Sequence, residues 1–247
     1  MDFDLHVELA DAVLDSAGAW RFIQGFTATY SRPVGVGDGC EAGELEEAET
    51  RLELALPAAL REGYVLLGRR DDLTRVQDEL MAPAELRLDD TGTVLLFRVE
   101  NQSVVQWGVP LDTLDRADPP VVYRSHVGPR EQNTWRPFLD RVSLAFVEMV
   151  LSEWMLAGGP GDTDNRELDP ATVRELEARF DRLPMPDYPL WAEPDGDPER
   201  WYAAGGGAAI LRVDAGEWLW VRAVSTEALD EVRAALPGDW IGVDPGP

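Results

Sequence analysis

The spacing of apolar and polar residues predicts helices in the first part of this chain and strands after residue 90. In the first part, apolar residues recur every three to four positions, as they do along one face of an amphipathic helix. In the first helix this face consists of Phe3, Val7, Ala10 and Leu14. The predicted helices cover residues 3–15, 19–30, 41–54 and 58–67.

The middle of the chain changes to segments rich in β-branched and aromatic residues, which favour strands. Two such segments are separated only by Asn101 and Gln102, and this spacing predicts a β-hairpin. A polar loop over residues 69–80 precedes the hairpin, and a pair of prolines precedes a third strand. The predicted strands cover residues 93–100, 103–109 and 121–126.

The longest predicted helix runs from Thr134, a suitable N-cap, to about residue 156. Its apolar residues occupy two faces, so we expect other parts of the protein to cover it on both sides. The helix is therefore predicted to lie at the centre of the core. The side chains expected to be buried are Trp135, Phe138, Val142, Phe146 and Met149.

The remaining residues predict a further set of elements. Residues 157–165 have the glycines and small polar residues of a linker, and residues 169–182 have helical spacing. A second hairpin is predicted within residues 208–223, and Thr226 is predicted to cap a last helix.

These elements together place the chain in the α+β class. Residues 1–156 are predicted to form one domain, with the long helix as its last element. Residues 157–247 are predicted to form a C-terminal helix–hairpin–helix extension that packs on this domain. The length is sufficient for a large core, because a chain of this size buries about three quarters of its surface on folding.

Acidic residues outnumber basic residues by a wide margin. The chain has 47 Asp and Glu residues against 22 arginines and no lysine, and its formal net charge at pH 7 is −25. This charge repels nucleic-acid phosphates and anionic lipid, so neither is expected as a partner, and it attracts basic molecules. A basic protein is therefore the first partner to consider. The alternative is that the charge serves only solubility.

The sequence also bears on the compartment. The longest uncharged segments have eleven residues, whereas a membrane span needs about twenty apolar residues. The N-terminal residues carry acids where a secretory signal requires a basic region followed by an apolar one. Cys40 is the only cysteine, so no internal disulfide can form. These features predict a cytoplasmic protein without membrane contact.

We find no motif for catalysis, cofactor binding or metal binding. His6 and His126 are too few for a structural zinc site. The glycines at residues 35–39 and 205–207 lack the strand-and-helix setting of a phosphate-binding loop. We therefore predict no catalytic residues, no cofactor and no metal. The opposite hypothesis, an enzyme, requires a deep pocket that holds a carboxylate of raised pKa.

Polar residues beside apolar segments are the best candidates for binding a protein partner. Loops and hairpin ends concentrate binding residues, and Trp with Arg is typical of an interface hot spot. Alternatively, the same residues form an ordinary turn, a loop-closing ion pair and a core tryptophan. The candidates are Arg69, Arg70, Asp71, Asp72, Gln77 and Asp78 in the polar loop, and Glu100, Asn101, Gln102 and Trp107 in the hairpin.

The order of features along the chain adds a family resemblance. An acidic helix runs into alternating leucines at residues 52–56 and then Pro57, and Leu60 and Tyr64 lie on the next helix. The polar loop and the strand pair TVLLFRVENQSVVQWGV follow. This order resembles the SMI1/KNR4 (SUKH) family over roughly residues 40–156. The chain departs from the family at residues 69–72, where members tend to have an Asn-Gly step, and by its C-terminal extension.

The resemblance implies a domain in which helices pack around a mainly antiparallel sheet. Bacterial members are mostly regarded as immunity proteins that bind and neutralise toxins, others resemble intracellular adaptors, and none is known for a catalytic site. The resemblance therefore implies a non-enzymatic cytoplasmic immunity protein that binds a toxin, which the charge indicates to be basic. The alternative is an intracellular adaptor or regulatory protein of the same type.

Overall fold

The computed structural model describes residues 3–127, 133–159 and 161–242. Within these ranges the chain forms helices and two antiparallel sheets, which confirms the predicted α+β class. One long helix lies between the two sheets and contacts both of them.

Helices form the N-terminal part, as the spacing predicted. Asp4 and Asp15 cap the first two helices, because their side chains accept hydrogen bonds from amides of the first turn. At the third helix, the Glu44 side chain accepts from the Glu41 amide. The helices are α1 (Leu5–Leu14), α2 (Ser16–Tyr30), α3 (Ala42–Leu52), α4 (Ala58–Leu67) and the short α5 (Asp71–Thr74).

The apolar face predicted for α1 is wrong. Leu5 and Leu9 are buried, whereas Val7 and Leu14 are exposed. Both rows have helical spacing, so the periodicity alone could not choose between them. The buried row joins the same core cluster as Phe22 of α2, and this packing decides which row faces inward.

The first sheet contains the predicted hairpin. Its strands are β1 (Asp78–Leu80), β2 (Arg87–Leu88), β3 (Val94–Glu100), β4 (Val105–Pro110), β5 (Val121–Ser125) and β6 (Arg136–Leu139). They are antiparallel in the order β1-β3-β4-β5-β6, and β2 also pairs with β3. The segment predicted as a polar loop therefore contains α5 and β1. Leu73 and Leu80 are buried there and anchor the two elements in the core.

The central helix α6 (Val142–Leu156) begins later than predicted. The residues before it form β6, an edge strand, where the amide that Pro137 lacks does no harm. Every residue of α6 except Leu156 is buried, in agreement with its predicted place at the centre of the core. Of the side chains predicted to be buried, Trp135 is only partly so, and the others are buried: Phe138, Val142, Phe146 and Met149.

The residues after α6 form the second sheet and two helices. The elements are β7 (Thr163–Glu167), α7 (Pro170–Arg179), β8 (Asp181–Arg182), β9 (Arg200–Ala204), β10 (Ala209–Asp214), β11 (Trp218–Ala223) and α8 (Thr226–Ala235). The strands are antiparallel in the order β7-β11-β10-β9-β8. The predicted hairpin is formed by β10 and β11, but the three other strands were not predicted. The predicted linker runs into β7, and Ser225 rather than Thr226 caps α8.

The core continues from the first sheet across α6 to the second sheet. Tyr188, Trp201 and Ile210 belong to the same buried cluster as Phe146 of α6. A second, smaller cluster lies among the second sheet, α7 and α8. Some residues of 161–242 thus share a core with the residues before them, while others form the smaller cluster. The division of the chain at residue 156 into a domain and an extension stays a prediction.

Candidate functional site

A cavity of about 260 Å³ lies where α6 is enclosed by the two sheets. Its lining combines charged and aromatic side chains from both sheets, from α6, and from the segment between β8 and β9. We call this cavity the inter-sheet cleft. Its charged residues are Asp78, Arg98, Glu148, Glu153, Glu199, Arg212 and Asp214. Five carboxyl groups thus face two guanidinium groups.

Arg98 is the charged centre of the first sheet's side of the cleft. In the pairing of β3 with β4, Arg98 lies opposite Trp107, so both side chains lie on the same face of the sheet. The guanidinium donates to Asp78 Oδ2 at 2.5 Å and to Glu148 Oε2 at 2.6 Å, and its Cζ lies 4.6 Å from the Trp107 ring centre. Burial lowers the pKa of Arg98, but the carboxylates outweigh this effect and raise the pKa above its ordinary value.

Arg212 occupies the corresponding position on the second sheet. It pairs in register with Trp201 and Trp220, so all three side chains share the sheet face that carries the cleft. Arg212 Nε lies 2.7 Å from Asp214 Oδ1, and Asp214 Oδ2 also accepts a hydrogen bond from Trp220 Nε1 at 2.9 Å. Arg212 is therefore held in the same way as Arg98, between carboxylate and indole.

Ser152 connects the two arginine groups through α6. Its hydroxyl donates to Glu148 Oε1 at 2.6 Å and accepts from Arg212 Nη1 at 3.1 Å. Glu148 and Ser152 are four residues apart, so both lie on the helix face that lines the cleft. A continuous chain of polar contacts thus runs from Asp78 through Arg98 and α6 to Asp214. Such a network stabilises the packing of α6 against the two sheets when all its members have partners.

Glu153 has a different role, because it positions the start of β1. Its carboxylate accepts hydrogen bonds from the amides of Val76, Gln77 and Asp78, at 2.5, 2.8 and 3.1 Å. Three amides around one buried carboxylate compensate for much of its desolvation. This contact holds Gln77 and Asp78 against α6 and thereby places both side chains on the wall of the cleft.

Two carboxyl groups of the cleft have raised pKa values. Burial, together with repulsion from Glu153 and Glu148, raises the pKa of Asp78 to about 6, although Arg98 acts in the opposite direction. Burial also raises the pKa of Glu199 well above its ordinary value, and nearby Asp214 adds to the effect. Burial is thus the main cause of both shifts, and repulsion between neighbouring carboxyl groups adds to it.

Five buried polar atoms of the cleft have no hydrogen-bond partner among the described residues. They are the acceptors Asp78 Oδ1 and Asp214 Oδ1 and the donors Arg98 Nε, Trp107 Nε1 and Arg212 Nε. Arg212 Nε and Asp214 Oδ1 lie 2.7 Å apart as an ion pair without hydrogen-bond geometry. An unsatisfied buried polar atom costs about 1–3 kcal/mol, so such atoms are uncommon unless water or a ligand completes them. A molecule that binds in the cleft can therefore both donate hydrogen bonds to unpaired acceptors and accept them from unpaired donors.

The structure separates the sequence candidates into two groups. Gln77, Asp78 and Trp107 line the inter-sheet cleft. The others lie outside its lining: Arg69, Arg70, Asp71, Asp72, Glu100, Asn101 and Gln102.

The charged candidates of the polar loop stabilise that loop. Arg70 is 1% exposed and donates to both carboxylate oxygens of Asp72, at 2.7 and 2.8 Å. Arg69 forms an ion pair with Glu44 of α3. Asp71 Oδ1 lies 3.6 Å from Arg75 Nε. These contacts match the alternative of a loop-closing ion pair.

The hairpin candidates form the β3–β4 turn. Glu100 is buried and accepts from the Gln102 amide at 2.8 Å and from Gln77 Nε2 at 3.2 Å. Asn101 and Gln102 are exposed at the turn. Trp107 is 2% exposed, so it contributes to the core and to the cleft wall rather than to the outer surface.

The sequence reasoning missed most charged residues of the cleft. A signal was present for four of these residues, because Arg98, Glu148, Glu153 and Arg212 interrupt apolar segments of strands and of a helix, whereas Glu199 and Asp214 lie beside or at a strand end. A charge within such a segment needs a buried partner, which only the tertiary structure identifies. The missed residues are Arg98, Glu148, Glu153, Glu199, Arg212 and Asp214.

Other kinds of site are not found in the part of the chain that the structure describes. No group of three or more His, Cys, Asp and Glu side chains there is arranged to hold a metal ion. None of the described helices combines the length and the apolar character that a membrane crossing requires.

Comparison with known proteins leaves the family open, since no family model, no curated protein and no solved structure matches this chain. The resemblance to the SMI1/KNR4 family therefore depends only on the sequence features given above.

Proposed function

We propose that this protein is a non-enzymatic protein-binding module, and more specifically a cytoplasmic immunity protein that neutralises a basic toxin by direct binding. The observation that carries this proposal is the excess of carboxylates, which the arginines of the protein do not neutralise. The excess is present both on the outer surface and in the inter-sheet cleft, the latter with five carboxyl groups against two guanidinium groups.

The clearest surface example is α3 and its ends. Glu41, Glu46, Glu47 and Glu53 are exposed, and among the described residues no arginine lies within 4.0 Å of any of them. Many arginines elsewhere are held in ion pairs within the fold, for example Arg61 with Glu49. The surface therefore keeps a negative field, which accelerates the encounter with a basic protein.

The immunity version predicts that a gene beside the one for this chain encodes a toxic, basic protein. We expect that protein to stop growth when it is expressed alone, and co-expression of this chain to restore growth. The two proteins should co-purify at low salt and separate as the salt concentration rises. If no product of the neighbouring genes co-purifies at low salt, the immunity version is wrong.

An adaptor is the second version of the same binding function. The capture experiment separates the two, because an adaptor co-purifies with a housekeeping assembly and with no toxic protein. In that case growth arrest and its rescue are absent, while the salt dependence of binding remains.

One observation favours an enzyme instead. Asp78 lies in a cavity and has a pKa of about 6, which is the property required of a general acid or base near neutral pH. However, Arg98 occupies Asp78 Oδ2, and the hydroxyl of Ser152 is already bonded to Glu148 and Arg212. Turnover of any hydrolysable ester, amide or glycoside by the wild type, together with its loss in Asp78→Asn, supports the enzyme.

A further inference from the structure

The inter-sheet cleft already contains two bound guanidinium groups, both from the protein itself. Arg98 contacts the carboxylates of Asp78 and Glu148 and lies over the ring of Trp107. Arg212 contacts Asp214, and its Cζ lies 5.7 Å from the ring centre of Trp201. The same combination, carboxylate and indole, therefore recurs on both walls. It is the combination that suits arginine best, since the planar guanidinium accepts carboxylates at its edge and an aromatic ring at its face.

The cleft retains groups for one more such cation. Asp78 Oδ1 has no donor among the described residues, and Glu199 Oε2 lies 3.7 Å from Arg212 Nε, beyond hydrogen-bond distance. Two further indoles, those of Trp191 and Trp220, line the cavity and are only partly buried. Among the described residues no arginine lies over either ring. Asp78 and Glu199 thus each have one arginine nearby, but Asp78 Oδ1 and the Glu199 carboxylate accept no hydrogen bond from an arginine, and neither of the two indole rings carries a cation.

The size and the charge of the cleft restrict what enters it. A cavity of about 260 Å³ is smaller than the pockets of roughly 300–1,000 Å³ that hold drug-sized ligands, but it accommodates a single side chain. The carboxylate excess favours a cation. Arg98 Nε and Trp107 Nε1 on the same wall need an acceptor, which a water or a main-chain carbonyl of the incoming segment supplies.

We propose that the inter-sheet cleft receives one arginine side chain of a protein partner, with its guanidinium group at Asp78 and Glu199 and its stem against Trp191 and Trp220. This inference rests on the proposed binding function and names the contact through which a basic partner is recognised. The partly buried tryptophans, together with Gln77 and Leu156, form the mouth of the cleft.

The first test uses a small probe and needs no partner. Nα-acetyl-L-arginine methylamide is titrated into the full-length protein at neutral pH, with tryptophan fluorescence and calorimetry as readouts. The control is the matching citrulline amide, which has nearly the same shape and no charge. We expect saturable binding of the arginine probe and at least about tenfold weaker binding of citrulline, because a charge-assisted pair is lost. Equal binding of the two probes, or no saturation by arginine, overturns the proposal.

A lysine probe tests the preference for the guanidinium shape. Nα-acetyl-L-lysine methylamide carries the same charge but cannot stack on an indole as a plane or bind a carboxylate through two N–H groups. We expect it to bind more weakly than the arginine probe. Equal or tighter lysine binding overturns the assignment of arginine.

Variants locate the binding site. Asp78→Asn removes a charge inside the cleft, and Asp11→Asn removes one from the exposed face of α1. We expect the first variant to weaken arginine-probe binding by at least about tenfold and the second to leave it unchanged. Trp191→Ala changes only the mouth and leaves the buried ion pairs in place, so it tests the site even if Asp78→Asn does not fold. Wild-type affinity in folded Trp191→Ala counts against the proposal.

The outcomes separate this inference from the proposed function. If the arginine probe binds as expected but no protein partner is captured, the cleft assignment stands and the proposed function fails. If a basic partner is captured equally well by the wild type and by Trp191→Ala, the binding function stands and the cleft assignment fails.

Discussion

Arg70 and Arg98 are both buried beside carboxylates, but the groups around them differ in one respect. Arg70 binds the two oxygens of Asp72, which is half exposed and stays hydrated, and it donates to the Arg32 carbonyl at 3.0 Å. The hydrogen bond from Arg70 lowers the pKa of Asp72, and the one from Arg32 lowers the pKa of Asp38. Charge and hydrogen bonds are therefore matched around Arg70.

The surroundings of Arg98 are not matched. Its neighbouring carboxyl groups outnumber the available cations, the pKa of Asp78 rises instead of falling, and buried polar atoms lack partners. A cluster in which every charge and polar atom has a partner stabilises the fold. Buried groups without partners beside a cavity destabilise the fold unless a ligand binds there. The comparison explains why we assign a structural role to the loop around Arg70 and a binding role to the cleft.

The largest effect is expected from Arg98→Met. Removal of this cation leaves Asp78 and Glu148 buried without their partner, and breaking such a pair costs about 3–5 kcal/mol. The loss should be smaller at pH 5 than at pH 7, because Asp78 then becomes neutral. Urea unfolding at the two pH values measures the difference. The exposed Arg116→Met is the control and should change stability by less than about 0.5 kcal/mol. A loss for Arg98→Met as small as that of the control contradicts the comparison.

The next effect is the pH dependence of the wild type. Because the pKa of Asp78 is higher in the folded state, its contribution to stability is complete below pH 3.8 and is lost as the pH rises through about 6. The decrease amounts to at most about 3 kcal/mol, and Glu199 acts in the same direction. Asp78→Asn should show a flatter profile across this window in urea unfolding. An unchanged slope means that Asp78 does not titrate abnormally.

Arg70→Met should cost less than Arg98→Met. The carboxylate of Asp72 is half exposed, so water replaces much of the lost contact, and we expect a loss of about 1–3 kcal/mol. The pKa values of Asp38 and Asp72 are lowered in the folded state. The stability that they contribute is therefore present at neutral pH and disappears only as the pH falls below about 4. A penalty that already relaxes between pH 7 and pH 5 would remove the distinction between the two clusters.

The smallest effect on stability is expected at the surface. Glu47→Gln changes one exposed carboxylate of α3 and should alter the unfolding free energy by less than about 0.5 kcal/mol. Once a basic partner is identified, the same variant should lower the rate of association with that partner at low salt and have little effect on this rate at high salt. Stopped-flow measurements at two salt concentrations test this, and a salt-independent effect points to a direct contact instead.

Much of the fold could be predicted from the sequence, because the periods of helices and strands are local properties. The α+β class, the helices from α1 to α4 and both hairpins follow from these periods. The predictions failed where pairing partners decide the structure. Residues 136–139 join the edge of a sheet instead of a helix, and the polar segment of β7 becomes a strand because it pairs with β11.

The site could be predicted only in part. Gln77, Asp78 and Trp107 were candidates and do line the cleft. Arg70 was a candidate for the same reasons, yet its partners within the loop satisfy it. Composition and position beside apolar segments do not distinguish a satisfied arginine from an unsatisfied carboxylate. The distinction depends on how many oppositely charged groups lie within a few ångströms.

The sequence by itself determined the kinds of elements, the buried character of the central helix and the excess of negative charge. Each of these depends on local spacing or on simple counts. Only the tertiary structure decided where the charge becomes unmatched. It brings Asp78 and Arg98 of the first sheet, Glu148 of α6 and Arg212 of the second sheet into one cleft. These residues are far apart in the sequence, and electrostatic energy depends on distance in space rather than along the chain.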